Sequence, residues 1–156
     1  MIPGFQIKFR NELRAKSGLM RGREFWMKDL YSFSKSVAEH DDFYEKISDA
    51  YFAVYERLGL GNITYKTFAS GGSFSKYSHE FQTLSNVGED TIFVHKEKGI
   101  AINQEVYTDE VLKDLGIQKQ DLVEETAVEV GNIFTLGTRF SEPLELYFTD
   151  EEGVQK

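Results

Sequence analysis

Residues 9–33 combine the side-chain types that a nucleotide-binding site requires. Arg10 carries a planar guanidinium that can bind phosphate oxygens, and Glu12 carries a carboxylate that can accept from an exocyclic amine. Arg21 precedes a glycine and can reach a polyphosphate, while the ring of Phe25 can stack on a base. This set of residues indicates a candidate nucleotide-binding segment.

A plainer interpretation of the same residues stays open on the sequence alone. Arg10 and Glu12 could form an exposed ion pair on a strand, which contributes little to stability. Arg21 and Phe25 could belong to a charged loop and to the core. Taken singly, these residues favour the plainer interpretation, so the functional one depends on further segments.

Two downstream segments have residue types suited to a small pocket. Residues 71–82, Gly-Gly-Ser-Phe-Ser-Lys-Tyr-Ser-His-Glu-Phe-Gln, start with adjacent glycines, which let a backbone approach a ligand closely. The spacing of a P-loop is absent. His79 and Glu80 alternate on a predicted strand, so only one of them can face a given pocket. Residues 129–139 place two glycines around an Asn and a Phe. The alternative for residues 71–82 is a surface hairpin, and the alternative for residues 129–139 is a strand–helix junction.

Hydrophobic alternation predicts the element that positions the first segment. Residues 5–9 alternate apolar and polar side chains, which predicts a half-buried strand. Residues 24–33 predict a second strand, and the loop 13–22 would join the two as an antiparallel hairpin. If the alternation continued, Arg10 and Glu12 would point to the same side.

One long helix is predicted at residues 35–58. Ser34 or Ser36 can cap its start, and Gly59 can end it. Its apolar side chains recur at spacings of three and four, and we interpret them as a core-facing stripe. The stripe consists of Phe43, Tyr44, Ile47, Tyr51, Val54, Tyr55 and Leu58.

Shorter elements follow the helix and complete the predicted fold. Strands are predicted at 63–68, 79–84, 91–95, 123–130 and 145–149, a turn at 70–78, a short helix at 108–115 and a helix or turn at 133–140. The predicted class is mixed α/β (α+β), with a largely antiparallel sheet and one dominant helix.

Composition and charge narrow the functional classes. The chain has 156 residues, 40% of them hydrophobic, which predicts one globular domain with a real core. The absence of cysteine excludes disulfides and thiolate zinc sites, and no metal-ligating residues are predicted. Neither a secretory signal nor a membrane span is recognised, which favours a cytoplasmic protein. The net charge of −8 argues against general nucleic-acid binding, whereas the basic stretch 8–28 suits a specific polyanion.

Taken in order, these segments resemble the bacterial-type prolyl-tRNA synthetases, which are class II aminoacyl-tRNA synthetases. Residues 9–33 are similar to class II motif 2, a strand–loop–strand unit, and Arg-Ala-Lys-Ser-Gly-Leu-Met-Arg-Gly-Arg-Glu-Phe-Trp-Met-Lys-Asp is similar to the prolyl enzymes in particular. Residues 71–82 and 129–142 support the same family. The resemblance covers nearly the whole chain and implies a class II antiparallel sheet within a partial catalytic core.

The resemblance implies ATP-dependent activation of proline, with Mg²⁺ bridging the phosphates, and transfer to the 3′ end of tRNA(Pro). Arg10 would be the catalytic residue and would hold the α-phosphate and the prolyl carboxylate side. Glu12 would contact the adenine amino group, Arg21 the phosphate tail, and Phe25 would stack on adenine. Such chemistry needs alignment and charge stabilisation, and no general base.

The remaining implied contacts concern the amino acid and the tRNA. His79 would lie near the proline pocket, and Gly131 and Phe134 would line it. Arg14 and Lys16 would contact phosphates of the tRNA acceptor end.

Departures from the family pattern shape the predicted domain organisation. Residues 1–156 are expected to form part of a catalytic domain, in which 85–128 form a short linker instead of an editing insertion and 129–149 supply a pocket segment. Motif 1, motif 3 and the anticodon-binding domain are not found, so we expect weak or absent activity of this chain alone. Asn132 stands where many bacterial members have His. The full-length family is expected to be homodimeric.

Two other hypotheses stay open on the sequence. The chain could be a free-standing synthetase paralogue that binds ATP, an adenylate or a tRNA end without catalysis. Alternatively, the pattern could be coincidental and the chemistry unrelated.

Overall fold

The computed structural model describes residues 1–15, 18–73 and 75–155. Within them the chain forms two compact units, Met1–Asp41 and Asp42–Lys156. No helix in the described residues is long and apolar enough to cross a membrane.

The first unit contains the predicted antiparallel hairpin. Strand β1 (Ile2–Phe9) pairs with strand β2 (Glu24–Tyr31), and each of the 8 residues of β1 has a partner on β2. The aromatic and β-branched residues of both runs favour extended backbone. The sequence prediction of a strand–loop–strand unit is therefore confirmed.

The prediction that the apolar side of β1 is buried is wrong. Phe5 is 76% exposed and Phe9 is 75% exposed, and Ile7 between them is exposed as well. Lys8, on the opposite side of the strand, is the less exposed residue because its ammonium pairs with Asp29 at 2.8 Å. Alternation predicted the strand, but what packs on each side depends on tertiary contacts that the pattern does not contain.

Helix α1 (Val37–Arg57) confirms the predicted long helix. At its start the Ser36 hydroxyl accepts a hydrogen bond from the backbone N–H of Glu39 at 3.2 Å, as an N-cap does. At its end Gly59 adopts φ +76°, and the N–H of Leu60 donates to the carbonyl of Tyr55 at 2.8 Å. This Schellman-type ending requires the left-handed conformation that glycine tolerates.

The buried side of α1 differs in part from the predicted stripe. Tyr55 is buried as expected, but Val54 is 48% exposed and Leu58 is 65% exposed. The contacts are taken instead by Ser48, which is buried, and Phe52, which is half-buried. The buried side of the helix is thus rotated slightly relative to the predicted stripe.

The second unit contains a closed five-stranded barrel in the order β3-β4-β7-β5-β6. Its strands are β3 (Thr64–Ser70), β4 (Tyr77–Leu84), β5 (Asp90–His95), β6 (Ile100–Asn103) and β7 (Val123–Ile133). All neighbouring pairs are antiparallel except β3 with β6, whose parallel pairing closes the sheet. The prediction of a mixed, largely antiparallel fold with one dominant helix is confirmed.

The elements outside the barrel strands include one confirmed and one wrong prediction. Short helix α2 (Asp109–Asp114) confirms the helix predicted at 108–115. It is capped by Thr108, whose hydroxyl accepts from the N–H of Val111 at 3.3 Å. The strand predicted at 145–149 is absent from the described residues: a turn ends at Glu145, which has φ +51°, and Thr149 makes only an isolated antiparallel bridge with Gln155. The predicted helix or turn at 133–140 is a turn after the end of β7.

Two apolar clusters form the core of the barrel unit. One unites residues of β5, β6 and β7, and the other lies between β6 and α2. The clusters consist of Ile92, Val94, Ala101 and Ala127, and of Ile102, Val106, Val111, Leu112 and Ile117.

Candidate functional site

Arg10 lies directly after β1 and is held by the hairpin. Its backbone N–H donates to the carbonyl of Arg23 at 2.9 Å, and its guanidinium carbon lies 5.2 Å from the centroid of the Phe25 ring. The structure therefore brings together two of the predicted ATP contacts through a cation–π contact. Among the described residues no carboxylate pairs with the Arg10 guanidinium. Its charge is thus available for an anionic ligand.

Glu12 organises the start of the hairpin loop. Its carboxylate accepts from the backbone N–H of Arg14 at 3.2 Å and from Nη1 of Arg21 at 3.2 Å. Its carbonyl accepts from Nε of Arg23 at 2.9 Å. The structure thus joins the two other polar ATP candidates, Glu12 and Arg21, to each other.

The strand does not continue to Glu12, which corrects that expectation. The N–H of Glu12 donates to the carbonyl of Arg10 at 2.8 Å, and this tight turn ends the extended backbone after Phe9. Arg14 follows in an exposed turn, while Lys16 lies outside the described residues.

His79 lies on β4 and packs beneath α1. Its Nδ1 atom lies 2.8 Å from the hydroxyl oxygen of Tyr44, and the same hydroxyl donates to the carbonyl of Ile133 at 3.2 Å. The ring meets Tyr44 and Phe68 edge-on, at centroid distances of 5.8 and 5.9 Å. His79 therefore packs against two aromatic rings.

Burial keeps the His79 imidazole neutral. It lowers the pKa of His79 to about 4, and the nearby positive charge of Lys66 acts in the same direction. The carboxylate of Glu45 raises this pKa, but it pairs with the ammonium of Lys66 at 3.1 Å. Near pH 7, His79 is consequently an uncharged hydrogen-bonding group.

Glu80 points away from His79, as the predicted alternation requires. Its Oε2 atom accepts from Nε2 of Gln82 at 2.9 Å and from Nδ2 of Asn103 at 3.1 Å. Burial raises the pKa of the Glu80 carboxyl. The side chains of Glu80 and His79 therefore lie on opposite sides of β4.

Gly131 lies on β7 opposite Phe81 and in contact with α1. A Cβ atom at this position would lie 2.5 Å from the Tyr55 hydroxyl oxygen and 3.1 Å from Cε1 of Tyr51. The glycine therefore permits the close approach of α1 to β7. Phe134 is half-buried just after the end of β7.

The tyrosine hydroxyls of α1 make backbone contacts that the sequence did not predict. Tyr51 donates to the carbonyl of Asn132 at 3.3 Å and Tyr55 to that of Val130 at 3.2 Å, alongside the Tyr44 contact. The prediction assigned these rings to the core. The signal was the recurrence of Tyr, where Phe would satisfy an apolar stripe equally well.

The predicted site residues fall into two sets. Four nucleotide candidates lie within Met1–Asp41, and three proline candidates lie within Asp42–Lys156. In the second set, His79 is paired across the strands with Ile133, the residue before Phe134. Their assigned ligand contacts stay predictions.

Comparison with known proteins defines the class of this chain. Residues 2–156 match the family model of the tRNA synthetase class II core domain (G, H, P, S and T), and the chain belongs to that family. The resemblance noted from the sequence is thereby confirmed.

Within that class the chain is similar to proline–tRNA ligases. It is 37% identical to the proline–tRNA ligase of Anaplasma marginale over 95% of this chain, and 37% identical to that of Sulfurimonas denitrificans over 96%. It is also 37% identical to a probable mitochondrial proline–tRNA ligase of Rattus norvegicus over 94%. The chain spans 38%, 38% and 30% of the lengths of these three relatives.

Proposed function

We propose that this chain contributes to a proline–tRNA ligase that activates proline with ATP and transfers it to the 3′ end of tRNA(Pro). One observation carries the proposal: 37% identity to a proline–tRNA ligase extends over 95% of the chain, which takes in most of both candidate sets. The contact of the Arg10 guanidinium with the Phe25 ring in the hairpin supports a nucleotide ligand.

In the activation step a proline carboxylate oxygen attacks the α-phosphorus of ATP. A phosphorus–oxygen bond forms, the bond to the β,γ-phosphates breaks, and pyrophosphate leaves. The carboxylate is already ionised, so the reaction needs positioning and charge stabilisation in preference to a base. Arg10 supplies that charge in our proposal, since Phe25 holds its guanidinium and no described carboxylate neutralises it.

The hairpin residues divide the nucleotide among them. Phe25 stacks on adenine, Glu12 accepts from the adenine amino group, and Arg21 contacts the phosphate tail. A carboxylate has about four lone-pair directions, so Glu12 can keep a contact with the loop while it accepts from adenine. Arg21 would exchange its contact with Glu12 for the phosphates.

Magnesium enters this proposal with ATP. Among the described residues no group of three His, Cys, Asp or Glu side chains could hold a metal ion. The exposed guanidinium of Arg10 beside Phe25 suits a negatively charged phosphate group, and Mg²⁺ bound with ATP would supply further positive charge to the phosphates. The chain's own residues hold the nucleotide.

The proline and tRNA contacts complete the proposal. His79 would meet proline as a neutral imidazole, and Gly131 and Phe134 would shape the pocket wall. Arg14 and Lys16 would bind phosphates of the acceptor end. A cytoplasmic location and a homodimer of the full-length protein belong to the same proposal.

Competition among adenylate analogues tests the amino-acid assignment. The matching family covers synthetases for G, H, P, S and T, so five non-hydrolysable aminoacyl-adenylate analogues provide matched probes. Calorimetric titration of the chain should give the tightest binding for the prolyl analogue. Tighter binding of the glycyl, histidyl, seryl or threonyl analogue would reject proline as the substrate. Binding of the prolyl analogue without proline-dependent pyrophosphate exchange in the full-length protein would favour the binding-module hypothesis.

Substitution of Arg10 tests the nucleotide assignment. Arg10→Ala should weaken ATP binding roughly 10- to 100-fold, because a charge-assisted hydrogen bond contributes about 1.5–3 kcal/mol. Arg57→Ala is the matched control, because it also removes one exposed arginine, at the end of α1. Equal ATP affinity of the two variants would reject the role of Arg10.

A further inference from the structure

Tyr44 has one hydroxyl proton, and its oxygen lies within hydrogen-bonding distance of both a ring nitrogen and a carbonyl oxygen. Its oxygen lies 2.8 Å from Nδ1 of His79 and 3.2 Å from the carbonyl oxygen of Ile133. A backbone carbonyl can only accept, so the Ile133 contact uses the hydroxyl proton of Tyr44. Both hydrogen bonds can then exist together only if the proton of the second one sits on Nδ1 of His79.

We propose that Tyr44 is a positioning residue that holds His79 in its Nδ1–H tautomer, so that Nε2 presents a lone pair to the amine of an imino-acid substrate. The inference rests on the proposed function for the identity of the ligand. The tautomer itself follows from the two hydrogen bonds of Tyr44 and does not depend on the ligand.

The tautomer decides which end of an amino acid His79 can bind. An unprotonated Nε2 accepts from an ammonium group, which only donates. It offers no proton to a carboxylate, which only accepts. The structure thus assigns His79 to the amine end of proline, while the carboxylate end is left to a cation.

Charged neighbours are consistent with a neutral ring. Lys66 and Glu45 face this region and pair with each other at 3.1 Å, and the ammonium of Lys66 lies 5.5 Å from the centroid of Tyr44. Burial lowers the pKa of His79 to about 4, so the ring is neutral at pH 7 and must choose one of its two tautomers. Tyr44 makes that choice.

Nitrogen NMR of the ligand-free chain measures the tautomer directly. Long-range ¹H–¹⁵N spectra distinguish a protonated from an unprotonated ring nitrogen, and His79→Gln assigns the signals. In the unsubstituted chain at pH 7 we expect Nδ1 of His79 to be protonated and Nε2 to be unprotonated. A protonated Nε2 overturns the proposal without any variant.

Two tyrosine variants separate positioning from simple packing. Tyr44→Phe keeps the ring but removes the hydroxyl, so His79 should shift toward a mixture of both tautomers. Tyr51→Phe is the matched control, because Tyr51 lies on the same helix and its hydroxyl donates to Asn132. An unshifted His79 in folded Tyr44→Phe, or an equal shift in Tyr51→Phe, overturns the role of Tyr44.

A ligand pair tests the recognised group. The prolyl-adenylate analogue should move the Nε2 signal of His79, and its counterpart with ring oxygen in place of ring nitrogen should not. Tyr44→Phe should bind the prolyl analogue about tenfold more weakly, equal to about 1.4 kcal/mol. If the prolyl analogue binds at saturation without moving Nε2, the amine assignment fails while the proposed function stands. If no adenylate analogue binds, the proposed function fails as well, and the amine assignment with it.

Discussion

The hairpin unit and the barrel unit carry similar residue types but are held by different forces. In Met1–Asp41 none of the described residues is buried, and exposed or half-exposed charge pairs such as Arg21–Glu12 at 3.2 Å link its loop. In Asp42–Lys156, fully buried Phe81 stacks on Tyr51 at 4.5 Å. Exposed ion pairs contribute about 0–1 kcal/mol, whereas burial of a large side chain contributes about 1.5–3 kcal/mol. The proposed nucleotide contacts in the hairpin are therefore weak enough to rearrange. The packing of the α1 tyrosines on the barrel is held more strongly, by buried aromatic contacts.

The largest effect on stability is expected from Phe81→Ala. Phe81 has no exposed surface and contacts the rings of Tyr51, Phe52 and Tyr55, so its removal leaves a cavity. The free energy of unfolding should fall by about 3–5 kcal/mol, measured by urea denaturation.

Phe5→Ala in the hairpin is the matched control for Phe81→Ala. Phe5 is 76% exposed, so the same truncation should change the free energy of unfolding by less than about 0.5 kcal/mol. Comparable losses for the two variants would contradict the proposed contrast between the units.

Gly131→Ala should give the next largest loss. The added methyl would meet the Tyr55 hydroxyl oxygen at 2.5 Å, so α1 or β7 must shift. We expect the free energy of unfolding to fall by about 1–3 kcal/mol, the usual cost of overpacking. Gly4→Ala is the control in the hairpin, because nothing lies within 4 Å of the added atom.

A double variant identifies the atom responsible for the Gly131→Ala loss. Tyr55→Phe removes the oxygen that the new methyl meets, so Gly131→Ala should cost less in that background. A cost that is unchanged by Tyr55→Phe would show that the hydroxyl of Tyr55 is not the obstacle.

The sequence predicted the features of the fold that depend on local residue patterns, such as strands and helix ends. The alternation of residues 5–9 marked a strand. Of the two proposed serine caps of the long helix, Ser36 is the one observed, and Gly59 ends the helix as predicted. The sequence did not predict β6 (Ile100–Asn103), because four residues carry too little periodicity and the strand is defined by its partners. Barrel closure is likewise a nonlocal property of pairing.

The site was predictable in its residue types and less so in its contacts. Arg10 and Phe25 were singled out from their chemistry, and the structure places them in contact. The pairing of Glu12 with Arg21 depends on a turn that ends β1 early, and the contact of Tyr44 with His79 joins positions 35 residues apart. Such long-range contacts arise from packing, which a single sequence does not display.

Acid should destabilise the barrel unit through His79. Its pKa is about 4 in the folded chain, below the usual 6.5, so the unfolded chain binds more protons between these two values. The stabilisation is fully present above pH 6.5 and is lost as the pH falls to 4, by on the order of 2 kcal/mol after allowance for partial solvent access.

A histidine variant isolates that contribution. Denaturation of the unsubstituted chain and of His79→Gln should be compared at intervals from pH 7 to 4. The difference in unfolding free energy between them should change across this window, because Gln does not titrate. A constant difference would exclude His79 as the source of the acid sensitivity.

The smallest stability effect is expected from the loop pair that the proposed function uses most. Glu12→Gln removes the charge opposite Arg21 while its carbonyl contact with Arg23 can persist, so the free energy of unfolding should fall by at most about 1 kcal/mol. Added salt should reduce even that difference, because ions screen exposed charges. The Debye length is about 10 Å at 0.1 M and becomes shorter at higher ionic strength. ATP affinity, measured in parallel by calorimetry, should respond more than stability does. A loss of stability as large as that of Gly131→Ala would mean that the loop is held rigidly by Glu12, and the hairpin would then resemble the barrel unit in how it is stabilised.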